Sequence, residues 1–208
     1  MHSRRTGGIA LLVYGVVTFL AFANNAPGGD YVDHDVARFI SPGHMWSAFG
    51  LAYLGILGAL AVPVFGSRMR AEAGSAGDLF WGLTVAGATT SLVGWFVTGG
   101  VAVSMAEGGT AVRDHIPHVV VYTFTETGNL LAVCSPALCV GVAGILLAVK
   151  SSMPGWLRVF SVVAGVCGIL APFYFTYFVF VLWTVVAGVT FAASRGRAAV
   201  AVPQKSLV

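Results

Sequence analysis

HVVVYTFTETGNLLAVCSPALCVGVAGILLAVK, residues 118–150, is an apolar run broken by one acid, Glu126, within Tyr122-Thr-Phe-Thr-Glu-Thr-Gly-Asn129. About 20 consecutive apolar residues suffice to cross a bilayer as a helix, so this run predicts a membrane span with length to spare for tilt or projection. A carboxyl group in hydrocarbon costs several kcal/mol unless it faces a bundle interior or a wet cavity. Glu126 is therefore a candidate functional group. The structural alternative is a neutral Glu that hydrogen-bonds between helices.

Composition extends that reading to the whole chain. The 208 residues are 57% hydrophobic and 9% charged, far below the roughly 25% charge of soluble domains. Five apolar segments precede or follow one another with short polar connections, giving spans at about 7–25, 44–66, 79–106 and 118–149, and two more within 155–194. Pro172 removes a backbone donor and disfavours helix in the residue before it, which places the break between the last two spans near Ala171-Pro172. The first run follows Arg4-Arg5 like a signal peptide, but Asn24-Asn25-Ala-Pro-Gly-Gly is a poor cleavage site, so a retained helix is expected. The predicted fold is all-α: a polytopic bundle of six transmembrane helices in a single domain, 1–208.

Charge placement gives the orientation. In a six-helix bundle Arg4, Arg5, Arg68, Arg70, Lys150, Arg158, Arg195, Arg197 and Lys205 share one side, and only Arg38 and Arg113 fall on the other. That asymmetry puts both termini in the cytoplasm of a multi-pass plasma (inner) membrane protein. Asp30, Asp33, Asp35, Glu107 and Asp114 occupy the outer side. The slight excess of positive charge thus reflects topology and gives no reason to expect nucleic acid as a partner. Residues 196–208 form a short basic cytoplasmic tail.

The longest connection, residues 26–43, is an outer loop in which Val36, Phe39 and Ile40 recur at helical spacing; a short helix lying on the bundle is expected there. Small residues form two stripes, Ala48-Ala52-Gly55-Ala59 and Ser161-Ala164-Gly165-Gly168, which let helices approach closely. Cys134, Cys139 and Cys167 lie within spans without a CxxC pair, as packing residues.

Three polar stripes point to a site. His118, Tyr122, Thr125, Glu126 and Asn129 share about one quadrant of the fourth span; Thr84, Ser91, Trp95 and Thr98 share a face of the third; Tyr14, Thr18 and Asn25 share a face of the first. Turned toward one another, they predict an outward-opening cavity with a polar floor near Glu126 and Asn129. A carboxyl group on that floor makes Glu126 a candidate proton donor oriented by Tyr122 and Asn129. Trp95, Thr98, Ser91, Thr125, His118, Tyr14 and Asn25 are the candidate substrate-binding residues. His34, His44, His115 and His118 mix with aspartates at the outer rim, but their spacing matches no metal-ligand pattern, so a solvated acidic rim is expected, with no metal and no cofactor.

The stretch Met153-Pro-Gly-Trp-Leu-Arg-Val-Phe-Ser-Val-Val-Ala-Gly-Val-Cys-Gly, followed by an aromatic final helix, resembles the uncharacterised small integral membrane proteins of actinobacteria. That resemblance implies a membrane bundle and assigns no site. A fainter similarity, carried by Glu126 among aromatic residues, is to the membrane-embedded terpene cyclases and sterol isomerases; it implies acid catalysis on an isoprenoid-like substrate. The expected function is binding of a lipidic or isoprenoid-like apolar small molecule from the lipid bilayer, with proton transfer from Glu126 as the enzymatic version. The rival expectation is an accessory subunit or stabiliser with a membrane-protein partner, docking through the small-residue stripes.

Overall fold

The computed structural model describes residues 2–23 and 27–194. Helix is the only regular secondary structure among them: α1 (His2–Ala23), α2 (Asp33–Phe39), α3 (Met45–Ala59), α4 (Ala61–Met69), α5 (Gly77–Arg113), α6 (His118–Asn129), α7 (Ser135–Lys150), α8 (Gly155–Ile169) and α9 (Tyr177–Ala193). Ser3–Phe22, Met45–Arg113 and His118–Lys150 are long and apolar enough to cross a membrane, while α8 and α9 are apolar but shorter. Asn25, Arg195, Arg197, Lys205 and the predicted tail lie outside the described residues.

Local chemistry explains where the long helices break. Pro63 has no N–H to give the carbonyl four residues back and its ring crowds that turn, so the second predicted span divides at Leu60 into α3 and α4. A turn of 3-10 helix over Arg70–Ala76, with Gly74 at φ 56°, then folds the chain back into α5. Contacts along this hairpin pair Gly66 with Thr84, Gly55 with Trp95 and Ala52 with Gly99. The separation in sequence grows steadily from the turn, so the two arms are antiparallel. α5 runs well past residue 106, and a second break at Gly109 (φ 58°) ends its regular part.

The fourth span widens into a turn of π-helix over Leu130–Cys134 between α6 and α7. Pro136 is the cause, because it cannot donate to the carbonyl of Ala132. That carbonyl is instead satisfied across the helix interface by Ser91 Oγ of α5, at 2.8 Å. The two helices meet here backbone to backbone: a Cβ on Gly94 would collide with Ala132 N and Gly128 O.

Neighbours close a ring. α1 lies between α9 and the α3–α4 arm, that arm packs on α5, α5 on α6 and α7, α7 on α8, and α8 on α9. Residues 155–194 are two antiparallel helices, joined by a 3-10 turn at Ala171–Phe173 and tied by a Trp183 Nε1 to Ser161 Oγ hydrogen bond of 2.9 Å. Both predicted small-residue stripes are buried inside this ring. Its interior holds Tyr14, Phe65, Phe80, Trp95, Tyr177 and Trp183, and its exterior presents Val13, Leu57, Phe96, Val163 and Leu182. Such an apolar outside suits hydrocarbon rather than water. The small helix α2 caps one end, burying Val36 and Phe39 against Met45, Ala102, Met105 and Val121.

The ends differ in charge. Ser3 Oγ donates to Arg68 O, Arg70 pairs with Asp78, and Arg158 donates to Ser151 O, so the basic residues of α1, α4 and the α7–α8 connection gather at one end. Asp30, Asp33 and Asp35 flank α2 at the other.

Candidate functional site

The polar stripe of α6 does not face α1 and α5 across an open funnel. It is covered by a strap, residues 27–31, that runs from α1 to α2. Thr125 Oγ1 and Asn129 Nδ2 donate to Pro27 O at 3.3 and 3.4 Å, and the Gly29 N–H donates to Glu126 Oε2 at 3.2 Å. Tyr122 donates its hydroxyl to Gly29 O, and Tyr31 stands edge-on against the Tyr122 ring. At the N-terminal end of α6 His118 Nδ1 meets Asp33 Oδ1 at 2.7 Å, and the Tyr31 hydroxyl donates to the same oxygen at 2.8 Å. The physical reason is economical: strap carbonyls and N–H groups need partners, and a helical stripe of hydroxyls, an amide and a carboxylate supplies them one turn at a time.

The strap sequence suits this close seat. Gly29 sits at φ +81°, which side chains other than glycine seldom adopt. A Cβ on Gly28 would lie 2.8 Å from both Glu126 Oε2 and Asn129 Nδ2. The hydrogen bonds from His118 and Tyr31 hold the Asp33 carboxyl below its ordinary range, and the bond to Asp33 raises the Tyr31 phenol.

Glu126 has a second partner that comes from the far end of the chain. The Tyr174 hydroxyl donates to Glu126 Oε1 at 2.8 Å, so each carboxyl oxygen accepts one hydrogen bond. Tyr174 has φ 55° and ψ −52°, the one positive φ outside glycine among the described residues, and the Phe175 N–H reaches Phe173 O at 2.6 Å. Those values describe a γ-turn centred on Tyr174, a conformation that is rare and costs on the order of 1–3 kcal/mol for a side-chain-bearing residue. Surrounding contacts hold it there, including a parallel stack of its ring on Phe22 with centroids 6.0 Å apart.

Between these groups lies a cavity of about 300 Å³, lined by Phe22, Gly28, Gly29, Asn129, Tyr174 and Phe178. Phe178, in the cavity wall, is also 54% exposed on the outside of the ring. Its walls are aromatic, and its polar groups belong to the strap, Asn129 and Tyr174, with Glu126 behind the tyrosine.

The remaining predicted residues serve packing. Trp95 is fully buried against Gly55; Thr98 Oγ1 bonds its own helix at Trp95 O, 3.2 Å; Ser91 holds Ala132 O. Tyr14 is fully buried in the core. None of these four lines the cavity. Tyr174, Phe22 and Phe178 do; of these, Phe22 and Phe178 carried no signal in the sequence, whereas Tyr174 follows directly on the helix-breaking Ala171-Pro172-Phe173. Among the described residues no three His, Cys, Asp or Glu side chains gather as a metal site, and the three cysteines are free, with Cys134 Sγ donating to Ala171 O at 3.3 Å. No family model, no curated protein and no solved structure matches the chain.

Proposed function

We propose that the protein is a multi-pass plasma-membrane protein that takes a lipidic or isoprenoid-like small molecule into the aromatic cavity beneath the strap. In this reading the ring of helices crosses the bilayer six times, with both termini cytoplasmic. The end that gathers Arg4, Arg68, Arg70, Lys150 and Arg158 is cytoplasmic by the positive-inside rule. The Asp-rich strap and α2 then face outward.

One observation carries the reading: an aromatic cavity with Phe178 in its wall, lined by a tyrosine that is held in a strained turn and donates to the carboxyl group of Glu126 behind it. Strain of this kind persists where the surroundings over-determine it and collects at binding and reacting sites. An intramembrane acid beside such a wall is a functional group by default. A volume near 300 Å³ lies at the small end of ligand sites and holds roughly ten groups of water or methylene size. Glu126 is the group that exchanges a proton with the bound molecule, and Tyr174 is its contact to the cavity. The rival reading, an accessory subunit docking through its small-residue stripes, has less support, because those stripes are consumed inside the ring.

The test is ligand retention. Protein extracted in mild detergent is expected to carry an apolar molecule detectable by mass spectrometry of the organic extract. Gly28→Leu and Phe178→Trp, which crowd the cavity from two sides, are expected to lose it while the helical circular dichroism stays unchanged. Equal retention by both crowded variants would refute the assignment of the cavity.

A further inference from the structure

A second hollow, of about 270 Å³, lies on the outer side of the strap, and Gly28 forms a wall of both. Its lining is charged where the inner cavity is aromatic: Asp30, Asp35, Arg38 and His44, with Phe39 beneath. The Arg38 guanidinium makes no ion pair and no side-chain hydrogen bond among the described residues, and neither does the Asp30 carboxylate. Asp35 reaches only the neighbouring His34 ring, at 3.6 Å. Opposite charges thus stand around one hollow without neutralising each other. That arrangement leaves both a fork of donors suited to an oxyanion and a pair of carboxylates suited to an ammonium.

We infer that the ligand of the inner cavity is an amphiphile, and that its zwitterionic head, an ammonium linked to a phosphate, sits in this outer groove with Arg38 and His44 on the phosphate and Asp30 and Asp35 on the ammonium. The inference rests on the proposed reading of the inner cavity for the tail. Gly28 stands between the two compartments, and a Cβ there would meet Glu126 Oε2 and Asn129 Nδ2 at 2.8 Å. The buried apolar face of α2 fixes the groove above the helix ends, the level at which lipid phosphates lie beside a spanning bundle. The same head chemistry is offered by a membrane lipid or by a free phosphoethanolamine, and the presence of a tail separates the two.

The full-length protein in detergent is titrated with four probes and followed by native mass spectrometry: lysophosphatidylethanolamine, lysophosphatidylglycerol and monoacylglycerol of one tail length, and glycerophosphoethanolamine without a tail. Lysophosphatidylethanolamine is expected to bind about ten-fold more tightly than lysophosphatidylglycerol, and lysophosphatidylglycerol about ten-fold more tightly than monoacylglycerol, each step the size of one charge-assisted hydrogen bond. Arg38→Gln is expected to remove the advantage of lysophosphatidylglycerol over monoacylglycerol, and Asp35→Asn that of lysophosphatidylethanolamine over lysophosphatidylglycerol, with monoacylglycerol binding unchanged in both. These side chains are exposed, so unchanged thermal unfolding of the ligand-free variants checks that folding is intact. Equal binding of all three tailed probes overturns the head-group assignment and leaves the cavity reading standing. Equal binding of the tail-less head overturns the amphiphile. Failure of every tailed probe, with the crowded variants indistinguishable from wild type, removes the cavity reading itself.

Discussion

Replacing Glu126 separates its role as an anchor for the strap from its role as an acid. The carboxyl accepts from the Gly29 N–H and from the Tyr174 hydroxyl. Glu126→Leu leaves both donors without that partner. Only the Gly29 bond ties the strap, and at a half-exposed position it is worth about 1 kcal/mol, so the strap loses roughly that much attachment. That corresponds to about a five-fold larger open population. Glu126→Gln behaves differently. Its amide oxygen still accepts from Gly29, and its NH2 donates to Tyr174, whose hydroxyl can turn from donor to acceptor. The loss is then within about 0.5 kcal/mol, or roughly two-fold. Amide hydrogen exchange of a peptide covering residues 27–31 in detergent reads the opening directly. The expected order is Leu faster than Gln, with Gln close to wild type. Equal exchange in wild type and the Leu variant would refute the anchoring role. A Gln variant that exchanges as fast as Leu would show that charge, not hydrogen-bond geometry, holds the strap. If the Gln variant keeps the strap and its bound molecule yet loses any turnover of that molecule, the proton is the functional element.

Three further outcomes follow from particular contacts. Ser91→Ala strands the Ala132 carbonyl in a buried interface and is expected to cost about 1–3 kcal/mol in detergent unfolding; adding Pro136→Ala restores an N–H within the helix and should recover part of it, and purely additive losses would disprove the link. Gly94→Ala drives a Cβ into the backbone of the facing helix and is expected to destabilise by about 1–3 kcal/mol or prevent assembly, whereas Gly100→Ala, which meets nothing, should be neutral in the same melt. The Asp33 carboxyl titrates below its ordinary value of 3.8, so its contribution to the strap is complete above that pH and is lost as pH falls through the lowered value. Hydrogen exchange at residues 27–31 should accelerate there, and Asp33→Asn should abolish that acid limb.

That the chain is helical, and that several of its helices are long and apolar, was legible because those features depend on signals local in sequence. Apolar runs, Pro172, the buried face of α2 at Val36, Phe39 and Ile40, and the small-residue stripes each act over one or two turns, and each has its counterpart in the structure. The interruptions at Leu60 and at Leu130–Cys134 carried the same kind of signal, Pro63 and Pro136, but whether a proline divides a helix, kinks it or widens it into a π-turn depends on what the neighbouring helix offers the freed carbonyl. For Ala132 that is Ser91, 41 residues away.

The amino-acid sequence alone determined that this chain forms apolar helices and that one acid must find polar company among them, because hydrocarbon tolerates neither open backbone nor a lone carboxyl group. It could not determine which company. The stripe on α6 was equally able to face α1, α5 or a loop, since a periodic pattern fixes a face of a helix and not the object opposite that face. Tertiary structure made the choice by laying the strap of Pro27, Gly28 and Gly29 along the stripe, 97 residues from Glu126 at its closest hydrogen bond, and by bringing Tyr174 from 48 residues away to the other carboxyl oxygen. Those partners meet only once the ring of helices closes through the contact of α1 with α9, which is why no local pattern in the chain paired Glu126 with Gly29 or with Tyr174.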